Sequence, residues 1–216
     1  MDYLTRDEDI SEEETSLKKE SKGKEIFEWL DIIVTSMLAV VIIFTFLFRL
    51  VTIVGDSMQN TFFGGEKVVI SNLFYEPEYG DVVVISRNAH NNALENNAFA
   101  EPIIKRVIAT GGQYVDINFE TGVVYVGDDV STMKALSEPY TKAPTYTKAD
   151  VEFPVYVPEG YVFVLGDNRN DSKDSRFKEI GEGGLVNEKY ILGKAVFRVF
   201  PFSRAGVIKG VEGADK

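Results

Sequence analysis

Chemistry in this chain must come from very few residue types, because it has no cysteine and one histidine. Gly55-Asp56-Ser57-Met58 directly follows the apolar stretch Val51–Val54. A serine in a glycine-containing turn after a strand projects its hydroxyl and presents its own backbone N–H. That arrangement suits a nucleophile beside an oxyanion hole. Most such turns are only turns, so Ser57 also needs a base. The sole imidazole, His90, lies in the Asn-rich stretch 88–101, a poor support for a Ser-His-Asp triad. It reads as a solvated loop residue. Lysine is the other option, provided that it loses its proton. The reference pKa of about 10.4 falls by up to roughly 3–5 units on burial among apolar groups. Lys105 stands within Pro102-Ile103-Ile104-Lys105-Arg106-Val107-Ile108. In a strand it shares a face with Ile103 and Val107, while Arg106 points the other way. The alternative is an ordinary outward-facing strand lysine.

A third group is Gly166-Asp167-Asn168-Arg169-Asn170-Asp171-Ser172-Lys173-Asp174-Ser175-Arg176. It is dense in alternating charge and hydroxyls. A calcium loop fits poorly, since Arg169 takes the third ligand position and Ser172 stands where that loop needs glycine. A scaffold of Asp–Arg pairs holding a hydroxyl near an amine is the better reading. Without cysteine and with a single histidine, thiolate chemistry and multi-histidine metal sites are excluded. No metal or cofactor is expected.

These groups need elements to position them. Beyond residue 50 the apolar runs are short and β-branched. Predicted strands are Val51–Val54, Lys67–Ser71, Asp81–Ser86, Ile103–Ala109, Gln113–Asn118, Val123–Val126, Glu152–Val157, Tyr161–Leu165 and Ile191–Val199. Gly64-Gly65, Gly80-Asp81, Gly111-Gly112 and Gly127-Asp128 punctuate them. The pattern predicts a mainly β, antiparallel sheet or barrel-like domain over 51–216. A loop-rich insertion is expected at about 113–155, with its most irregular part at 131–150.

The N-terminal part differs in kind. Ile32 to Phe48 is free of charge, and with its flanks the run approaches the ~20 residues that a spanning helix needs. A single transmembrane signal anchor is predicted over 29–50. Lys18, Lys19, Lys22 and Lys24 precede it, and after Arg49 no base appears until Lys67. The positive-inside rule places residues 1–28 in the cytoplasm and the β domain outside the cell membrane. Residues 1–31 carry eleven acids and five bases, and the whole chain has a net charge of −11. The acidic tail is expected to be disordered. Nothing resembles the basic footprint of a nucleic-acid binder. The lipid bilayer is an expected partner, and the oligomeric state is not readable.

In combination, these segments resemble the bacterial type I signal peptidases, specifically the small single-span kind of Gram-positive organisms. The resemblance rests on the anchor followed, in order, by GDSMQNT (55–61), YGDVVVI (79–85), KRVIATGG (105–112) and GDNRNDSKDSR (166–176). The tail LGKAVFRVFPFSR (192–204) matches in character. The resemblance implies a membrane-bound serine endopeptidase that removes signal peptides from exported preproteins after small residues, Ala-x-Ala. It implies Ser57 as nucleophile, Lys105 as general base and Ser172 as the hydroxyl that positions the lysine amine. Asp174 and Arg176 would support the site, with Asp167 and Arg169 in the same scaffold. The substrate would lie extended between Val51–Gly55 and Pro102–Ile104. Ile53, Gly55, Met58, Ile103 and Ile104 would then contact it, with Ile53, Met58 and Ile104 lining shallow apolar pockets. Three features depart from the family pattern. Asn60 stands where proline is common, Gly55 stands where some members carry a hydroxyl, and the run from Phe177 to Gly184 is longer than usual. Two rivals remain at this stage. One is a self-cleaving Ser/Lys peptidase of the repressor type, and the other is a non-catalytic membrane-anchored β domain.

Overall fold

The computed structural model describes residues 24–25, 27–42, 48–86 and 102–211. The chain divides into two units, 1–46 and 47–216. The first contributes a helix over 27–42 with exposed Trp29, Ile33 and Met37. Among the described residues no helix is long and apolar enough to cross a membrane. The expected span also took in 43–47, which lie outside the described residues, as do the tail 1–23, His90 and the stretch 88–101. Its last expected residues, Phe48 to Leu50, are not helical: they open strand β1 (Phe48–Thr52), which pairs with β2 (Lys67–Ser71) in the register Phe48↔Ser71. Backbone hydrogen bonding to a ready neighbour sets that boundary, whereas hydropathy alone ran on past it.

The second unit is mainly β, and all its strand pairs are antiparallel. Besides β1 and β2 it contains β3 (Val82–Ile85), β4 (Ile103–Ala109), β5 (Tyr114–Asn118), β6 (Val123–Gly127), β7 (Lys134–Ala135) and β8 (Val155–Tyr156). After these come β9 (Tyr161–Leu165), β10 (Val186–Asn187), β11 (Ile191–Phe200) and β12 (Gly206–Val207). One sheet runs β1-β2-β11-β3-β4-β9-β10, with β12 on β11, and a second runs β7-β6-β5-β8. The region expected as a loop-rich insertion thus builds a sheet of its own. Its strand predicted over 152–157 shrinks to Val155–Tyr156, because Pro154 has no N–H to give the ladder.

The large sheet is covered on both faces, and β3 shows why its run is wholly apolar. Val82 and Val84 enter a cluster with Ile53, Met58, Phe62 and Ile104, whereas Val83 and Ile85 enter another with Val107, Val162 and Val164. Period-2 alternation thus distributes one strand between two cores. A third cluster, including Ile108, Val115, Val124 and Phe163, joins the small sheet to β4 and β9. Each such side chain contributes about 1.5–3 kcal/mol on full burial. The central strand β4 is therefore buried over nearly its whole length, and it carries Lys105.

Candidate active site

Lys105 pairs across the ladder with Val83, and Arg106 with Val82, so the two cations leave opposite faces of β4. Lys105 is 3% exposed. Its Nζ lies 2.9 Å from Ser57 Oγ and donates to Ile104 O at 2.9 Å. Burial pushes its pKa down from 10.5 to about 8, against the opposing pull of Asp174 and Asp167. Lysine at such a pKa is about one-tenth neutral at pH 7, against well under one-thousandth in water. Ser57 and Lys105, 48 positions apart in sequence, thus lie within hydrogen-bond distance of each other.

Ser57 is fixed from behind by the loop after β9. Asn168 N donates to Ser57 O at 2.9 Å, and Asn168 Nδ2 donates to Asp56 O at 3.1 Å. Gly166 makes this approach feasible. A Cβ there would stand 2.6 Å from Ser57 O and 2.2 Å from Ser172 Oγ, so any side chain would push both serines away. On the other side of Ser57, Gly55 has φ +79, a conformation that favours glycine, and nothing lies within 4 Å of where its Cβ would be.

The scaffold residues are held by ion pairs. Asp174 and Arg176 do pair, with Nε to Oδ1 at 2.8 Å, and Asp174 Oδ2 also accepts from Gly166 N at 3.0 Å. Asp167 and Arg169 do not pair with each other. Asp167 binds Arg106 through two parallel bonds, Nε–Oδ1 2.8 Å and Nη2–Oδ2 2.6 Å, and accepts from Thr61 Oγ1. Arg169 binds Glu138 and donates to Thr145 Oγ1 at 2.8 Å. Arg106, Asp167, Arg169, Asp174 and Arg176 are all buried. Charges so deep persist only when paired and hydrogen-bonded.

Ser172 was expected to bond the lysine amine. Its Oγ is buried beside Gly166 and has no hydrogen-bond partner among the described residues, while the lysine bonds go to Ser57 and to its own strand. Ile53 and Met58 are 2% and 1% exposed and Ile104 is 7%, all within one apolar cluster. They form a floor rather than open pockets. Ile103 is half-buried and Gly55 exposed. Arg106, Thr61, Asn168, Glu138 and Tyr140 were not among the expected site residues. Arg106 carried a signal, since a charge on the far face of so apolar a strand requires a buried partner.

Residues 26–200 match the family model described as signal peptidase, peptidase S26. The chain belongs to the signal peptidase family, peptidase S26. It is 32% identical to signal peptidase I of Bacillus licheniformis over 194 residues, covering 88% of this chain and 96% of that protein. It is 33% identical over 201 residues to a Synechocystis protein named "Probable signal peptidase I-2", covering 90% and 83%. Signal peptidase I of Mycobacterium tuberculosis is 31% identical over 241 residues, covering 91% and 80%. A crystal structure of a signal peptidase I from Enterococcus faecalis is 25% identical and covers 56% of this chain and 98% of that one, with a TM-score of 0.40. A signal peptidase of this family is a serine peptidase, so a hydrolase.

Proposed function

We propose that this signal peptidase cleaves exported preproteins after small residues, using Ser57 as nucleophile and Lys105 as general base. One observation carries the reading: a lysine amine 3% exposed, with no carboxylate in ion-pair contact among the described residues, lies 2.9 Å from a serine hydroxyl. Neutral Lys105 takes the proton from Ser57 Oγ as the oxygen attacks the scissile carbonyl. The Ser57 N–H, which no described group engages, donates to the developing oxyanion. The ammonium returns its proton to the departing amine, leaving an acyl-enzyme. A water then gives its proton to Lys105 and attacks the ester, and the ammonium passes that proton to the departing Ser57 Oγ, freeing the hydroxyl. Asp174–Arg176 and Asp167–Arg106 hold the two loops and strand in place. Ser172 supports the site by packing against Gly166. Ile53, Met58, Ile103 and Ile104, with the open approach at Gly55, favour an extended peptide with small side chains over this shallow floor.

The apolar run 29–47 anchors the enzyme in the cell membrane as a single pass, with residues 1–28 cytoplasmic and the β unit outside. The run's hydropathy and the lysines before it support that topology. Anchoring would hold enzyme and tethered substrate at high effective concentration. The test is cleavage of a preprotein with an Ala-x-Ala site by detergent-solubilised wild type, Ser57→Ala and Lys105→Met, read by mass spectrometry. Cleavage after the second Ala by wild type alone is expected. Cleavage persisting in Lys105→Met would move the base elsewhere.

A further inference from the structure

The stretch between β7 and β8 takes no part in the chemistry above, yet it contacts residues next to Ser57 and next to Lys105. Asn60 Nδ2 donates to Thr141 O at 3.4 Å, and Lys142 Nζ donates to Gln59 Oε1 at 3.2 Å, just past Ser57. Lys142 N donates to Asp167 O at 3.2 Å, and Glu138 holds Arg169. Between these ties the Tyr140 ring lies over Arg106, 4.0 Å from Cζ to centroid, and 5.9 Å from Arg169 Cζ. Its hydroxyl donates to Glu138 Oε1 at 2.9 Å. The in-plane donors of Arg106 go to Asp167, Gly80 O and Thr61 Oγ1. Four of its five N–H groups are thus engaged, and the Tyr140 ring covers a face of the guanidinium.

We propose that Tyr140 is a positioning residue for proton transfer between Ser57 and Lys105; this rests on the reading of those two residues as the dyad. Tyr140 touches neither of them. Arg106 follows Lys105 on β4, and Asp167 precedes Asn168, whose N–H and amide hold the Ser57 loop. The Arg106–Asp167 pair is therefore the joint between the strand bearing the base and the loop bearing the nucleophile. A cation over an aromatic face is held more strongly when water is excluded. The tyrosine ring both grips the joint and keeps water from it. Without the ring the joint loosens, serine and lysine drift from contact, and water near β4 makes it easier for Lys105 to keep its proton.

The experiment uses full-length enzyme in detergent with an Ala-x-Ala preprotein, comparing wild type, Tyr140→Leu, Tyr140→Phe and Ser57→Ala. Tyr140→Leu is expected to lower kcat by about tenfold or more with KM within about twofold. It should also move the acid limb of the pH–rate profile upward by about half a unit. Tyr140→Phe keeps the ring and should return kcat to within about threefold of wild type. If Tyr140→Leu does not fold, pentafluorophenylalanine at position 140 keeps the shape and reverses the ring's charge distribution. Its kcat should fall well below that of Tyr140→Phe. Unchanged kcat and pH profile in Tyr140→Leu, or equal losses in Tyr140→Phe and Tyr140→Leu, would overturn the inference, as would equal kcat for the fluorinated ring and phenylalanine. Cleavage by Ser57→Ala would instead sink the dyad reading. An inactive Ser57→Ala beside an unaffected Tyr140→Leu would sink only the role of Tyr140.

Discussion

The two faces of β4 carry two adjacent cations, Lys105 and Arg106, 3% and 2% exposed. They meet burial in opposite ways. Arg106 is compensated by Asp167, which offers both carboxylate oxygens in the geometry of a guanidinium fork. Lys105 receives only a hydroxyl and a carbonyl oxygen, so its ammonium is poorly compensated and its pKa falls to about 8. The same element thus holds a strut and the proposed base. What separates them is the partner and the chemistry of the head group, since depth is the same. An amine can escape its desolvation penalty by giving up a proton, and a guanidinium cannot.

The comparison breaks most directly at the base. Lys105→Arg preserves charge on that face but removes the ability to accept a proton, so kcat for preprotein cleavage should fall by about 10³-fold or more. Retention of a tenth of wild-type turnover would show that proton acceptance is not what this face contributes. On the other face, Arg106→Leu leaves Asp167 charged and buried without its fork. Urea unfolding should report a loss of about 3–5 kcal/mol. A loss below one would mean that water already reaches the pair.

Removing the base should have the reverse effect on stability. The lysine pKa falls on folding from 10.5 to about 8, so between those values the unfolded chain holds more protons than the folded one. Stability therefore rises with pH across that window, and burial of Lys105 destabilises the enzyme below pH 8. Lys105→Met should be more stable than wild type at pH 7, by up to about 3 kcal/mol, with the gap closing toward pH 10.5. A constant gap across pH would mean that the lysine titrates normally. The same titration should raise kcat/KM by about tenfold between pH 7 and 9, with a midpoint near 8. A flat profile over that range would refute a lysine base.

The smallest effect is expected where a charge pair is half in water. Arg204 binds the buried Glu66 at 2.6 Å but is 37% exposed, and Arg198 holds the same carboxylate at 3.1 Å. Arg204→Ala should cost about 1 kcal/mol or less in unfolding experiments. A loss approaching that of Arg106→Leu would erase the distinction between deep and shallow pairs.

Much of the β unit was legible in the chain. The strands β2, β4 and β9 begin and end where their β-branched runs do. The two-residue strands β7, β10 and β12 were invisible, being too short to show a period. Ser57 and Lys105 could be singled out because each had a local signature, a glycine turn after a strand and a charge in an apolar run. The pairings of Asp167 with Arg106 and of Arg169 with Glu138 had none. Each joins segments 31 to 61 positions apart, and a charge-dense run offers several equally plausible local partners.

The sequence by itself determined that this is a β protein of the signal peptidase family, and its lack of thiols and histidine clusters turned attention to serine and lysine. Residue type and period suffice for that, because they depend on what each side chain is. Only the tertiary structure decided which acid neutralises which arginine, that Ser172 lies against Gly166 rather than on the amine, and that Lys105 reaches Ser57. Those outcomes depend on how β4, the Ser57 turn and the loop after β9 are stacked. Long-range packing fixes that stacking, and with it whether a buried cation keeps its proton.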